Sequence, residues 1–349
     1  PSVFLYSSLL LVLRQKRLFI SNPNNMKKFL VNTGLFIVIL LILATIADIL
    51  ISKGLQNTPK NHLETMNMVM HDSPKYDVLV LGNSRGACGY DTYILDSTIG
   101  CNSYNLSNSG KRFTISNLRY QAYRRNNPAP KLIIINIDHL EMGTGALGFE
   151  NYMFYPYITD SLVKPVLKMN HFSWLDCHIP MYRYRGDYKY ISLGLCELFN
   201  IYHLHGKGYK GYTPSPNNSW NGTTMRTIIK SQPHQLQVAL DSTIVALADT
   251  FMAQAKKEGI QVVMVYSPVY YEIQENLSPK YETLMCVYEN LSQKYDIPIL
   301  DYRHTAMNKD STYFKDGNHL CKLGAELFTT QLAKDIDDLQ LYSSPNLNN

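Results

Sequence analysis

The longest apolar run in the chain is Phe29 to Ile51, 23 residues that carry a single charge, Asp48, near the far end. As a helix it is long enough to cross about 30 Å of hydrocarbon. An earlier run, Val3 to Leu13, is too short to span. Ser52 to Lys75 is polar, holds Pro59 and Pro74, and reads as a stalk with room for one helix. From Tyr76 the pattern changes. Asp77 to Gly82 is a short unbroken apolar run closed by glycine, as in a strand buried on both faces. Ser103 to Leu106 is a weaker strand, and Ile115 to Asn126 a helix closed by Asn126-Asn127-Pro128. Lys131 to Asp138 is a strong strand. Leu236 to Glu258 is a long amphipathic helix stopped by Gly259, followed by a strand from Gln261 to Tyr266. Pro279 to Tyr295 is helical, Ile297 to Asp301 a last short strand, and Cys321 to Leu339 a closing helix.

Strands that alternate with helices predict an α/β fold, a central parallel sheet covered by helices on both faces. Ligands of such sheets bind at the carboxyl ends of the strands, near the point where the strand order reverses. Chemistry is therefore expected just after Leu81, Leu106, Ile137, Tyr266 and Leu300. Residues 143–233 interrupt the alternation with Tyr, Gly, Asn and Pro and read as an insertion over the strand ends, able to shape a cleft. The expected organisation is a flank over 1–28, an anchor over 29–51, a stalk over 52–75, a domain over 76–341 and a disordered tail over 342–349.

Charge changes the picture only at the amino-terminal end. The chain has 33 basic and 28 acidic residues, a formal net charge of +5. Arg14, Lys16, Arg17, Lys27 and Lys28 all fall in the first 28 residues, which hold no acid, so the remainder is balanced. The basic character belongs to a membrane flank, and no basic stripe with interleaved aromatics suggests nucleic acid. Lys27 and Lys28 before the apolar run predict a cytoplasmic amino terminus and a domain on the outer side, in a periplasm or extracellular space. The length of the apolar run, and the lack of a small-x-small cleavage site after it, favour an uncleaved anchor over a signal peptide. Met26, just before the lysines, is a plausible true start, with 1–25 upstream of it. Six cysteines form no CxxC pair, so buried thiols are expected and no pairing is assigned. Tyr is abundant, 26 against 12 Phe, which suits either a sugar-stacking cleft or a habit of composition.

Two short motifs could carry chemistry. Gly82-Asn83-Ser84-Arg85-Gly86 follows the first strand, which puts Ser84 on a sharp turn at the amino end of a helix. Free N–H groups and the positive dipole end there suit a nucleophile and a developing oxyanion. The plainer alternative is a serine cap. Asp316 and His319, three apart before the last helix, can share one turn, so that the carboxylate orients an imidazole acting as general base. Taken together, the two motifs resemble those of the SGNH or GDSL-like hydrolases over roughly residues 76–339, with the insertion unmatched. The resemblance implies Ser84 as nucleophile and Asp316 and His319 as its partners. Leu323-Gly324-Ala325 resembles the family's continuation of the last motif. Asn105 to Gly110 resembles the block that supplies a backbone oxyanion donor, which makes Gly110 the match, with Asn108 beside it. It implies a three-layer α/β/α fold of flavodoxin-like type and a Ser-His-Asp acyl-enzyme, with no metal or organic cofactor.

The chain departs from the family at two places. Asn83 stands where the first block has Asp, and the strand end at Asn136-Ile137-Asp138-His139 lacks the family's Gly-x-Asn-Asp. Strand alternation points Asn136 and Asp138 to one side. Losing one oxyanion donor costs about 10²–10³ in rate, so activity turns on this gap. Asn83, Arg85, Asp138 and His139 are candidate substrate-binding residues; Arg85 suits an anionic substrate or an acidic neighbour, and Asp138, His139 and Glu141 a ligand or a cleft wall. His203 and His205 lack a carboxylate cluster for metal. The pattern with an anchor is similar to membrane-tethered SGNH-like proteins of envelope polymer modification, such as those of alginate acetylation and of D-alanyl transfer to teichoic acids. It implies an esterase or O-acyltransferase acting on small acyl groups of an acylated polysaccharide or glycan, anchored in the lipid bilayer through 29–51. The alternatives are a non-catalytic binding or scaffold module for glycans or for a membrane acyltransferase partner, and a structural membrane protein without a ligand.

Overall fold

The computed structural model describes residues 23–59, 61–110, 112–138, 141–143, 151–201, 209–217, 220–223, 226–227, 239–276 and 280–343. Its centre is a parallel sheet of five strands: β1 (Val78–Leu81), β2 (Ser103–Asn105), β3 (Leu132–Asn136), β4 (Gln261–Tyr266) and β5 (Ile299–Asp301). Their order is β2-β1-β3-β4-β5, with all neighbouring pairs parallel. Side chains alternate across a strand with period two, and the two faces fill two separate cores. Leu79, Leu81, Ile133, Ile135 and Met264 face one core. Val78, Val80, Leu132, Ile134, Val263 and Val265 face the other. This accounts for the unbroken apolar runs: each strand must be greasy on both sides because helices cover both.

The first core is closed by α2 (Asn61–His71), α5 (Phe113–Asn126), α9 (Ser242–Lys257) and α11 (Lys280–Tyr295), through Val69, Leu118, Phe251 and Leu284. The second is closed by α4 (Thr92–Ile99) and α12 (Lys322–Asp338), through Leu95, Phe328, Leu332 and Ile336. The expected three-layer α/β/α sandwich is therefore present. Strand and helix ends lie within two residues of those expected, except that the long helix begins at Ser242, six residues late, capped by Asp241; residues 236–238 of its expected start lie outside the described residues.

The amino-terminal apolar run lies within α1 (Pro23–Gln56), a single helix long and apolar enough to cross a membrane. Its large apolar side chains from Phe29 to Leu50 are exposed, whereas Ile51 and Leu55 are buried. Two departures from the sequence reading meet here. Residues 52–75 are not a free stalk: α2 puts Met66, Met68 and Val69 into the first core, and Asn67 Nδ2 donates to Leu55 O (2.9 Å) and Thr58 O (3.2 Å). Of the described insertion, 209–217 does reach the loops at the strand ends, where Thr213 N–H donates to Ala87 O, but the larger segment, 151–201, packs mainly elsewhere. It holds a 3-10 helix over 151–157, then α6 (Lys164–Met169), α7 (Trp174–His178) and α8 (Tyr188–Leu198). These form a collar on the end of α1, where Tyr152, Tyr155, Tyr184 and Tyr190 pack with Ile51, Leu55 and Leu63. Much of the tyrosine excess thus serves packing, because each ring gives a large apolar area and its hydroxyl keeps a polar partner. Tyr155 Oη, for example, donates to Asp187 Oδ2 at 2.8 Å. Asp48, the one charge of the apolar run, is buried in an ion pair with Arg183 and accepts the Met181 N–H at 2.8 Å. All six cysteines are free.

The α1–α8 joint is backbone on backbone. A Cβ on Gly54 would fall 1.7 Å from Gly194 O, and one on Gly194 would fall 2.6 Å from Ile51 O. Gly54→Val is therefore expected to part the two helices and destabilise the collar by about 1–3 kcal/mol, the usual cost of overpacking. Thermal unfolding together with limited proteolysis over residues 180–201 measures it; unchanged midpoint and cleavage would contradict the contact.

Candidate active site

The parallel order places the sheet's reversal between β1 and β3, where the loops after both strands diverge at their carboxyl ends. From Val78 to Thr92 every residue is buried except Ser84. Asn83 caps α3 (Ser84–Gly89), its Oδ1 accepting the Arg85 N–H at 3.0 Å, which fixes the turn and leaves Ser84 as the first helical residue. The block after β2 is tied to this loop: Asn108 N–H donates to Gly82 O at 2.8 Å, and Asn105 Nδ2 to Gly86 O at 2.9 Å.

The loop that carries Asp316 and His319 is held shut on itself. Phe314 and Leu320 pair as an antiparallel bridge, Lys315 N–H donates to His319 O (2.9 Å), and Cys321 N–H to Tyr313 O (3.0 Å). Gly324 makes this closure possible: a Cβ there would stand 2.1 Å from Tyr313 O. The segment 209–217 straps the loop to α3, since Thr213 N–H donates to Ala87 O and Lys322 N–H to Ser215 O, both at 2.9 Å.

The result is a continuous line of contacts. Ser84 Oγ lies 2.8 Å from His319 Nε2, and His319 Nδ1 lies 2.8 Å from Asp316 Oδ1 and 3.0 Å from Oδ2. An ionised carboxylate only accepts, so Nδ1 carries the proton, and Nε2 is left to accept from the serine hydroxyl. Burial works to raise the Asp316 pKa. The hydrogen bond and charge of His319, with the N–H groups of Asn318 and His319, outweigh it and hold the carboxyl below the usual aspartate range. The group that orients the imidazole is thus ionised across the neutral range.

The other sequence candidates fall around this line differently. Asn83 Nδ2 donates to Asp138 Oδ2 at 2.6 Å, so neither end of its amide is turned to a substrate. Arg85 is buried; its guanidinium donates to Ser267 O, lies 3.8 Å from Asp138 Oδ2 and sits 4.7 Å over the Tyr266 ring. It takes the acidic neighbour and not an outside anion. Asp138 is fully buried, accepting from Asn83 and from the Glu141 N–H. Asn108 faces inward, its Oδ1 accepting from Arg119 (3.3 Å) and its Nδ2 reaching Met153 Sδ (3.5 Å). Asn136 accepts from Tyr90 Oη (2.9 Å) and Ser267 Oγ (2.7 Å). Gly110 occupies the turn before α5 with φ of +66°, a left-handed conformation that glycine adopts at little cost. His139, His203 and His205 lie outside the described residues. The sequence reading missed Arg119, which is buried and donates to Leu106 O and Ser107 O (2.9 Å each), holding the block that contains Asn108. It also missed Ser267, although that residue follows β4 at a strand end where chemistry was expected.

No family model matches the chain, and no curated protein matches its sequence. Among solved structures it is similar to a lipase/acylhydrolase of Enterococcus faecalis, at 11% identity over 75% of this chain and 96% of that one, TM-score 0.38. A GDSL-like lipase of Bacteroides thetaiotaomicron aligns at 13% identity over 74% and 87%, TM-score 0.34. A family two carbohydrate esterase of Clostridium thermocellum, in complex with cellohexaose, aligns at 7% over 77% and 65%, TM-score 0.38. The functional reading therefore rests on the chain's own residues.

Behind the Ser84 loop sits a second carboxyl. Glu141 is buried beside Asp138 and Arg112; burial first, and then the charge of Asp138, push its pKa well above the usual glutamate range, against the pull of Arg112. The folded state therefore keeps a proton that the unfolded chain has lost. The stability this contributes is full below the ordinary glutamate pKa and is lost as pH rises toward the raised one. Glu141→Gln, neutral and of the same shape, removes the dependence. Its melting temperature relative to wild type is expected to climb from pH 5 to pH 8, and a difference constant over that range would contradict the raised pKa.

Proposed function

We propose that the chain is a serine esterase or O-acyltransferase of SGNH type, anchored by α1 with its α/β domain outside the cytoplasm. The observation that carries the reading is the unbroken Ser84–His319–Asp316 line, each contact 2.8 Å. Ser84 Oγ attacks an ester carbonyl while His319 Nε2 takes its proton. His319 then gives the proton to the leaving alcohol as the acyl-enzyme forms. Asp316 fixes the tautomer and balances the imidazolium. The N–H groups of Ser84 and Gly110 receive the oxyanion. Water as second acceptor gives an esterase, and a sugar hydroxyl gives a transferase; both use one acyl-enzyme.

A glycan-borne ester is supported by the aromatic group at the loop's edge. Tyr270 N–H donates to Gly317 O at 3.0 Å, and Trp220 and Tyr271 pack on its ring at 4.9 Å. Tyr270 is buried, but Trp220 and Tyr271 are partly exposed, and such rings beside an acylated hydroxyl suit sugar stacking. The cytoplasmic amino terminus rests on Lys27 and Lys28 ahead of the apolar run. A second reading, a scaffold or binding module for glycans or for a membrane acyltransferase, is favoured by one observation. The side-chain donors of Asn83 and Asn108 are spent inside the protein, and Asn136 is fully buried with its Oδ1 taken and its Nδ2 unpartnered among the described residues, which leaves the oxyanion to backbone donors.

A fluorophosphonate probe separates the two. Labelling of the wild type that vanishes in Ser84→Ala and in His319→Ala is expected for the enzyme. A wild type that resists labelling, or a Ser84→Ala variant that still labels, contradicts it. Against a chromogenic acetyl ester, Asp316→Asn is expected to lower kcat by up to about 10⁴-fold with KM little changed, because the wrong imidazole tautomer then faces Ser84.

A further inference from the structure

The exposed apolar surface of α1 ends at Leu50, and the collar begins there. At about 1.5 Å per residue, Phe29 to Leu50 covers roughly one hydrocarbon thickness. The collar also overlaps the last turn of that surface. A cavity of about 370 Å³ has Thr45, Asp48 and Ile49 of α1 on one wall and Cys177, His178, Ile179 and Pro180 on the other. So α7 stands beside the final exposed turn of α1. On α7 the exposed large apolar side chains are Trp174 (65% exposed) and Leu175; on α8 and just after it they are Tyr188 (71%), Phe199 (66%) and Ile201. Trp174 lies flat on His178, ring centroids 4.5 Å apart. Lys168, Arg185 and Lys189, in the same stretch of chain, are exposed too. A water-facing surface rarely gathers such a group, and aromatic rings interleaved with Lys and Arg are the composition of a membrane–water boundary.

We propose that α7 and the segment around α8 sit in the headgroup layer of the membrane that α1 crosses, so that the collar seats the domain on the phospholipid surface. This rests on α1 crossing a membrane. Lipid is the occupant because α7, with Trp174 stacked on His178, adjoins the last exposed turn of a helix surface that already fits hydrocarbon, and because it lies where that surface runs out. The burial of Asp48 against Arg183 agrees with this: the one charge at that depth is neutralised within the protein.

The test uses the full chain in phosphatidylcholine nanodiscs containing lipids brominated at shallow or at deep acyl carbons. Trp220→Phe leaves Trp174 as the only tryptophan. Its emission is expected to be quenched several-fold more by shallow than by deep bromines. A reference chain, Leu40→Trp with Trp174→Phe and Trp220→Phe, reports on α1 and is expected to be quenched by deep bromines. Quenching of the α1 reference with Trp174 untouched overturns the collar proposal and leaves the crossing intact. Quenching of neither overturns the crossing, and the collar proposal with it.

Discussion

The arrangement depends on a parallel register. Leu81 of β1 lies opposite Ile135 of β3, and the two strands release their loops at the same edge of the sheet. The chain leaves β1 toward β2 and returns to β3 on the other side, so nothing in the sheet covers that edge. Because both strands are packed on both faces, the edge cannot slide: a one-residue slip would exchange the two cores. Ser84 follows β1 by three residues, and Asp138 follows β3 by two, which is why Asn83 can reach Asp138 at all. The last loop contributes its histidine only because bridges at 313–321 and the strap at 209–217 bring a distant segment to the same edge.

This explains what could be read from the residues beforehand. The sheet was legible because strands greasy on both faces leave an unmistakable apolar run, as in Leu132–Asn136. Ser84 and the Asp316–His319 pair were legible because their geometry is local: a strand exit, and two residues on one turn. Gly324 was visible as part of a motif, but its reason, the approach to the Tyr313 carbonyl, is a contact in space. The roles of Asn83, Arg85 and Asn108 were not legible. Each had a plausible outward task, and each is drawn inward by a partner from another element: Asp138, Ser267 and Arg119. Polar side chains under the surface go to whichever buried donor or acceptor would otherwise stay unsatisfied, and sequence spacing does not encode that choice.

One part of the insertion, 151–201, was misread for a related reason. Its periodicity is weak, so it read as part of a cover over the strand ends, with tyrosines suited to sugar stacking or to a habit of composition. The helices of 151–201 are short, and they are stabilised by an outside surface, the end of α1, more than by their own propensity. Asp48 had looked like an odd charge in an apolar helix; Arg183, 135 residues away, gives it its place.

The glycine contact between α1 and α8 also sets the mechanics of the whole. Side chains between two helices act as a yielding layer, and at the closest approach here there is none, because Gly54 and Gly194 bring main chain against main chain. The joint has little room to swivel. In the proposed setting the serine is then held at one height and one tilt above the lipid, like a tool clamped to a bench. A polymer strand long enough to arrive at that height can be worked on along its length, one ester after another. A partner in the same membrane needs only lateral diffusion, a two-dimensional search, to meet it in the working orientation.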